Sequence, residues 1–222
     1  MDAARNVPCD SGVMARRPRF FVPGFSWHIT QRGVNRCVIF KTPTDYRVFL
    51  SILRFESERH TFKVHAYTLM RNHVHLLGTP DSEKSMPNLM QALGRRYVPF
   101  FNCRYKRTGA LWETRYKPAL VHDERYWVTC MRYIELNAVR AGIVRAPDKY
   151  RWSSYLHHGL GIDDAVLADH PSYLALGASA EQRQQLWREI CGHQIQQEEL
   201  DRLRNGLKRG IVMDEPTSLE VD

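Results

Sequence analysis

The sequence predicts an α+β fold: a ferredoxin-like, split β-α-β-β-α-β antiparallel sheet with one added helix and a small helical extension at the C-terminal end. Over residues 25–141, segments whose apolar residues alternate, as in half-buried strands, are interleaved with segments whose apolar residues recur at helical spacing. Beyond residue 160 only helical spacing remains. A chain of 222 residues fits one domain, or one domain with an appendage.

The first half of the chain predicts a strand, a helix and two strands. Residues 25–30 alternate between apolar and polar and predict a half-buried strand, and residues 37–40 are expected to extend the sheet edge after a turn. A helix is expected over residues 44–59, with its first threonine as the N-cap. Two strands, residues 63–69 and 73–79, then follow around a short turn.

The second half of the core predicts a helix, a strand and the added helix. A helix is expected over residues 86–102, with a proline in its first turn. An extended run covers residues 111–121. The added helix is expected over residues 123–141, capped by Asp123 and ended by Gly142.

Three domains are predicted from composition and pattern. Residues 1–17 are polar and predict a flexible basic arm, residues 18–160 form the main domain, and residues 161–222 form a helical extension. Two amphipathic helices, over residues 180–192 and 197–208, are expected in this extension, with a frayed acidic end after them.

The charge distribution points to a polyanionic partner for the main domain. The formal charge is +8 and the isoelectric point is about 9.4. Residues 1–160 carry 26 Lys and Arg against 12 Asp and Glu, whereas residues 161–222 carry 6 against 12. This asymmetry favours nucleic acid, although a basic solvated surface would give the same numbers.

Cysteines and apolar runs indicate the compartment. The five cysteines are scattered and contain no Cys-x-x-Cys pair, which argues against a disulfide framework and against a zinc ribbon, and fits a reducing cytosol. No apolar run approaches the roughly 20 residues that a membrane-spanning helix needs, and no signal peptide is recognisable. The expected location is cytoplasmic, associated with the nucleoid, with no membrane partner.

Two short patterns supply the candidate chemistry. In the strand around Val74, His73 and His75 point to one face because side chains alternate. In the added helix, Tyr133 and Asn137 lie one turn apart on one face. Two imidazoles and an amide oxygen leave coordination positions open, a donor set that suits Mg²⁺ or Mn²⁺ beside a tyrosine nucleophile.

Each of these residues also has an ordinary explanation. The histidines could be polar residues on an exposed strand face, Tyr133 a half-buried tyrosine with a bonded hydroxyl, and Asn137 a residue that contacts backbone near a helix end. The metal hypothesis therefore depends on the combination, and on the helix lying across the histidine face of the sheet.

Basic residues interleaved with aromatic ones mark the candidate DNA-binding surface. They are concentrated in residues 93–107 and 112–117, a composition that suits a groove for phosphates and unpaired bases. A helix with a solvated basic face and buried aromatics is the alternative. The candidate DNA-binding residues are Arg16, Arg17, Arg32, Arg36, Arg95, Arg96, Arg104, Arg115, Tyr116, Lys117 and Arg140.

These motifs together resemble the REP-associated tyrosine transposases of bacteria, which belong with the HUH endonucleases and the single-tyrosine insertion-sequence transposases. The resemblance is carried by His73-Val74-His75, by Tyr133-Ile134-Glu135-Leu136-Asn137 and by Trp152-Ser153-Ser154-Tyr155. It extends over roughly residues 16–156, with the segment from Leu89 to Tyr116 between the two site motifs.

The resemblance implies an activity and a role for each site residue. His73, His75 and Asn137 would hold the Mg²⁺ or Mn²⁺ ion, and Tyr133 would attack single-stranded DNA near a palindromic hairpin of the repetitive extragenic type, giving a 5′-phosphotyrosine. Residues 18–160 would then be the catalytic domain. Relatives include monomers and dimers, and a monomer is slightly favoured. Two alternatives stay open: a ferredoxin-like nucleic-acid-binding module that does not cleave, and a metal-dependent hydrolase of small phosphoesters.

Overall fold

A mixed sheet forms the centre of the computed structural model, which describes residues 21–122 and 124–212. Its four main strands are antiparallel neighbours in the order β2-β3-β1-β4, and a two-residue strand, β5, pairs in parallel with β4 at the edge. This confirms the predicted α+β class and the ferredoxin-like antiparallel sheet. The strands are β1 (Ser26–Arg32), β2 (Phe62–Met70), β3 (His73–Pro80), β4 (Lys117–Val121) and β5 (Ile211–Val212).

Helices cover both faces of the sheet. The helices α1 and α2 bury their apolar residues in one cluster, together with the inward side chains Val74 and Leu76 of β3. The helix α3 and the C-terminal helices bury theirs in a second cluster. The helices are α1 (Pro43–Arg59), α2 (Ser85–Arg104), α3 (Glu124–Glu135), α4 (Asn137–Arg140), α5 (Tyr155–Leu160), α6 (Pro171–Leu174), α7 (Ala180–Gly192) and α8 (Gln197–Arg209).

Three boundary predictions are wrong. The N-cap of α1 is Thr42 and not Thr44, because Pro43 takes the first helical position and the Asp45 carboxylate accepts from the Thr42 backbone at 2.8 Å. Residues 37–40 form no strand, and the Tyr97 hydroxyl satisfies the carbonyl of Ile39.

The strand expected over residues 111–121 is also shorter than predicted. Of the residues 111–121, those of β4 pair continuously with β1. The residues before β4 pair with the sheet at one isolated bridge, between Gly33 and Trp112.

The added helix is confirmed but interrupted. It runs over α3 and resumes in α4, with Leu136 between them at φ −84° and ψ 6°. Trp127, Met131, Ile134 and Ala138 are buried along one face, and Gly142 follows with a positive φ of 67°, as expected for the end of a helix. Asp123, the expected cap, lies outside the described residues.

The C-terminal extension contains the two helices expected from its periodicity, now α7 and α8. Trp187 of α7 and Leu203 of α8 are fully buried in the cluster that also contains Met131 of α3. The division of the chain at residue 160 stays a prediction, and the basic arm and acidic end lie outside the described residues. Within the described ranges, no helix is both long and apolar enough to cross a bilayer.

Candidate active site on the histidine face of the sheet

Strand register brings polar residues into rows on the face that α3 covers in part. Thr30 of the central strand β1 is paired with His75 of β3 on one side and with Lys117 of β4 on the other. One row further along, Arg32 is paired with His73. Because alternate residues share a face, both histidines, a lysine and an arginine meet on one side of the sheet.

Each predicted histidine ligand is held through its Nδ1 atom. Nδ1 of His73 lies 2.7 Å from the side-chain oxygen of Asn72, and Nδ1 of His75 lies 2.8 Å from Nε2 of His28. The Asn72 oxygen can only accept, so it favours the His73 tautomer that leaves the lone pair on Nε2; His75 has its Nε2 lone pair when Nε2 of His28 accepts from its Nδ1. The two rings lie 5.0 Å apart, centroid to centroid.

Burial keeps these imidazoles neutral. It lowers the pKa of His28 to about 3 and that of His73 to about 4, with Arg140 and Arg32 as the respective positive neighbours. Burial also lowers the pKa of His75 well below its usual range. At neutral pH all three imidazoles are therefore uncharged, and a metal ion that binds one of them does not have to compete with the second proton of an imidazolium.

Buried hydrogen bonds position the helix that carries Tyr133. Near the start of α3, Trp127 donates its indole N–H to the hydroxyl of Ser26 at 3.0 Å. Near its end, the Thr68 hydroxyl donates to the carbonyl of Ile134 at 2.7 Å. With the helix fixed to β1 and β2 in this way, the Tyr133 ring lies edge-on to the sheet histidines.

The distances from Tyr133 confirm that the helix lies across the histidine face. Its ring centroid is 6.1 Å from that of His75 and 6.3 Å from that of His28. Arg140 lies over the Tyr133 ring, with its guanidinium carbon 3.8 Å from the centroid, and donates to the Tyr133 carbonyl at 2.6 Å. Burial lowers the pKa of Arg140 to about 10, so it remains charged at neutral pH.

Asn137 lies one turn beyond Tyr133 and is buried. Within the described residues its amide nitrogen has no hydrogen-bond partner, and no hydrogen bond joins it to His73 or His75. Because the oxygen and nitrogen of an amide exchange places by a half-turn of the group, the orphaned position can equally present an acceptor. Such an unsatisfied buried position fits a group that binds a ligand.

A cavity of about 110 Å³ opens onto the two histidines. Arg32, Arg115 and Lys117 contribute positive charge to its lining, and Glu113 contributes the one carboxylate among the residues that line it. A wider groove of about 470 Å³ continues from it past Thr30 and Lys117 to the C-terminal end of α8. Tyr133 and Asn137 are not among the residues that line either space.

The other candidate DNA-binding residues are elsewhere. Arg95 and Arg96 of α2 line a groove of about 340 Å³ on the opposite helix layer, and Arg96 pairs with the buried Glu56 at 2.6 Å. Arg104 pairs with the buried Asp45 at 3.5 Å.

Of the remaining candidates, Arg36 is exposed in a short turn with a positive φ of 58°, and Tyr116 packs against Phe21. Arg16 and Arg17 lie outside the described residues. The part that any of these residues plays in DNA binding stays a prediction.

Sequence reasoning missed His28 as a member of the site. Its position in an alternating strand was visible, but its partnership with His75 depends on the register between β1 and β3, which the sequence does not show. The only sequence signal was that His28 has the same parity as Thr30 and Arg32 and so shares their face.

Comparison with known proteins identifies the family. The family model described as IS200-like transposase matches residues 21–137, more than half of the chain. The chain belongs to the IS200-like transposase family. No curated protein is significantly similar to the chain. The family predicted from the site motifs is thereby confirmed for the segment that holds His73, His75 and Tyr133.

Two solved structures are similar to the chain. A REP-associated tyrosine transposase bound to a REP hairpin shares the fold, with a TM-score of 0.53 at 16% identity, over 71% of this chain and 93% of that chain. A protein from Deinococcus radiodurans R1, described as a candidate transposase, is 22% identical over 54% of this chain and 95% of that chain, with a TM-score of 0.39.

Proposed function

We propose that this IS200-like transposase cleaves and rejoins single-stranded DNA through Tyr133, with one divalent metal ion bound by His73, His75 and Asn137. The observation that carries the proposal is the juxtaposition of Tyr133 with His75, at 6.1 Å between ring centroids, on a sheet face where Nε2 of His75 is left free by the His28 contact. A nucleophile beside a ligand-ready imidazole pair is what a metal-assisted tyrosine transferase needs.

The donor set fits Mg²⁺ or Mn²⁺. Two neutral imidazoles and an amide oxygen would supply three ligands to such an ion, which would take its other ligands from water and phosphate oxygens. The hydrogen bonds at Nδ1 of both histidines are the supporting contacts that metal-binding histidines make. When bound, the ion would act as a Lewis acid that withdraws charge from the scissile phosphate.

The protein's own groups would carry the two displacements. The Tyr133 oxygen attacks phosphorus, the bond from phosphorus to the 3′ oxygen breaks, and the products are a 5′-phosphotyrosine and a free 3′-hydroxyl. In the second displacement a 3′-hydroxyl attacks the phosphotyrosine, restores the phosphodiester and releases the tyrosine. Arg140, charged and 3.8 Å above the ring, is placed to attract the phosphate that approaches Tyr133.

The shape and charge of the surface support a single DNA strand as the substrate. The histidine cavity and the adjoining groove share the lining residues Thr30 and Lys117, and Arg32 and Arg115 also line the cavity. Neighbouring spaces lined by these cations are suited to a phosphate backbone. The structurally similar REP-associated transposase was solved with a REP hairpin, which supports a palindromic hairpin as the recognised element.

Cleavage of a labelled single-stranded oligonucleotide that carries a palindromic hairpin tests the proposal. Tyr133→Phe should abolish cleavage while hairpin affinity changes less than about twofold, because only the nucleophilic oxygen is removed. Tyr105→Phe is the matched control, a half-buried tyrosine on the other helix layer whose hydroxyl bonds Asp45, and it should cleave normally.

Two outcomes would contradict the proposal. Undiminished cleavage by Tyr133→Phe would exclude this residue as the nucleophile. Hairpin binding by the wild type without cleavage under any divalent metal would instead establish a binding module.

A further inference from the structure

A second group of metal-binding side chains lies outside the transposase site. Nε2 of His157 is 3.2 Å from a carboxylate oxygen of Asp169, and Nε2 of His158 is 3.6 Å from the same oxygen. All three candidate ligand atoms lie within 4.8 Å of one another. Two ligands bound tetrahedrally to zinc at about 2.0–2.1 Å are about 3.3 Å apart, so the two contacts with Asp169 already have the required spacing.

The far nitrogens of both imidazoles are held as in metal-bound histidines. Nδ1 of His158 lies 2.6 Å from the Glu135 carboxylate, and Nδ1 of His157 lies 3.1 Å from the carbonyl of Ile162. Carbonyl and carboxylate oxygens accept hydrogen bonds, so both Nδ1 atoms carry hydrogen. Although burial opposes the charge, Glu135 and Asp169 raise the pKa of His158 to about 9, so without a metal its Nε2 hydrogen faces Asp169 and a bound ion would take the place of that hydrogen. A carboxylate behind one ligand and a backbone carbonyl behind another are the usual supporting contacts of zinc-binding histidines.

In this cluster of His157, His158 and Asp169, the His158 end is buried and the Asp169 end is open to solvent. His158 is 1% exposed, while the side chain of Asp169 is 29% exposed, so an ion can enter from solvent and keep a water as its fourth ligand. Glu135 also accepts from Ser154 at 2.5 Å and from Trp187 at 2.8 Å, so the support of the group is rigid.

We propose that His157, His158 and Asp169 form a second metal site that binds zinc and fastens the C-terminal extension to the helix that carries Tyr133. Two imidazoles, one carboxylate and a water are a common tetrahedral donor set for zinc, and the carboxylate supplies a negative charge that an amide oxygen does not. The ion would join α5 to the segment before α6, and Glu135 connects this junction to α3, two residues after Tyr133. The site is independent of the proposed cleavage chemistry.

Zinc binding by the full chain tests the proposal. The double variant His73→Ala/His75→Ala removes the other proposed metal site, and in this background one equivalent of Zn²⁺ should bind, with Co²⁺ giving the absorption of a tetrahedral site. Adding Asp169→Asn or His157→Gln should weaken Zn²⁺ binding at least tenfold. Asp163→Asn, an exposed acid in the same loop, should leave it unchanged.

The outcomes distinguish a zinc site from a cluster in which the same side chains only bond one another and bind no metal. His157 and Asp169 are partly exposed, so their variants should keep the wild-type circular dichroism spectrum, and a loss of zinc binding will reflect lost ligands. The proposal is overturned if the His73→Ala/His75→Ala variant binds no zinc. It is equally overturned if Asp169→Asn and His157→Gln both bind zinc as tightly as their background.

Discussion

Replacement of His28 by phenylalanine tests whether a second imidazole orients the proposed metal ligand His75. The phenyl ring keeps most of the buried volume but removes the acceptor that lies 2.8 Å from Nδ1 of His75. Metal binding through Nε2 of His75 requires that Nδ1 carries the hydrogen, and Nε2 of His28 is the atom placed to accept that hydrogen.

The size of the effect follows from that one contact. Loss of the partner that orients a metal-binding histidine weakens metal binding about 10- to 100-fold, equivalent to about 1.4–2.7 kcal/mol. A buried N–H without an acceptor should also lower the free energy of unfolding by about 1–3 kcal/mol, since both histidines are nearly inaccessible to solvent.

Calorimetric titration with Mn²⁺ measures the first effect, with His73→Ala as the reference for a destroyed site. His28→Gln should retain most of the affinity, because its amide oxygen can accept the hydrogen of His75 in the same place. His65→Gln, a second buried histidine of the same sheet face, should leave Mn²⁺ affinity unchanged. Wild-type affinity in His28→Phe would refute the orienting role.

Three further predictions address stability and DNA binding. Glu135→Ala leaves the buried His158 without its carboxylate and should cost about 3–5 kcal/mol in urea unfolding; a loss below 1 kcal/mol would contradict the network. Burial lowers the pKa of His65 to about 4, so the unfolded chain binds more protons between pH 6.5 and 4, and stability should fall by up to about 3 kcal/mol as pH falls through this window. His65→Gln should make that dependence shallower by the contribution of this one group, while those of His28 and His73 remain, and an unchanged profile would contradict it. Lys117→Ala should reduce the slope of log affinity for single-stranded DNA against log salt by about 0.7, whereas Lys63→Ala, away from the cavity, should not.

Periodicity was enough to predict most of the fold. Alternation placed β1, β2 and β3 to within two residues at each end, because one face of each strand is buried and a one-residue slip would expose its apolar side chains. The helices α7 and α8 were predicted almost to the residue from their amphipathic spacing. Where secondary structure is determined by the spacing of apolar residues along the chain, the sequence alone predicts it.

Other parts of the molecule depend on contacts between distant residues. The interruption of the added helix at Leu136 occurs where Thr68 binds the carbonyl of Ile134, 66 residues away along the chain. The segment before β4 has an extended pattern, but its backbone pairs with the sheet at an isolated bridge between Gly33 and Trp112 and not as a strand. Neither feature has a local signal.

Some residues of the candidate site could also be predicted from local patterns, and others could not. His73, His75 and Tyr133 follow from strand and helix periods, and the structure brings them to one face. His28 and the position of Arg140 over Tyr133 depend on register and on helix docking, which no local pattern specifies. The basic candidates do not share one surface, since Arg96 and Arg104 pair with buried carboxylates on the opposite layer, and their part in DNA binding stays a prediction.

A covalent adduct tests the central proposal most directly. A hairpin-bearing single strand, labelled on the 3′ side of its cleavage site, is incubated with wild type or Tyr133→Phe, in Mg²⁺ or in EDTA, and separated on a denaturing protein gel. The account predicts label on the wild-type protein only, and only with Mg²⁺, with the phosphate mapped to Tyr133 by mass spectrometry. An adduct formed by Tyr133→Phe, or cleavage in Mg²⁺ that never passes through an adduct, would contradict it.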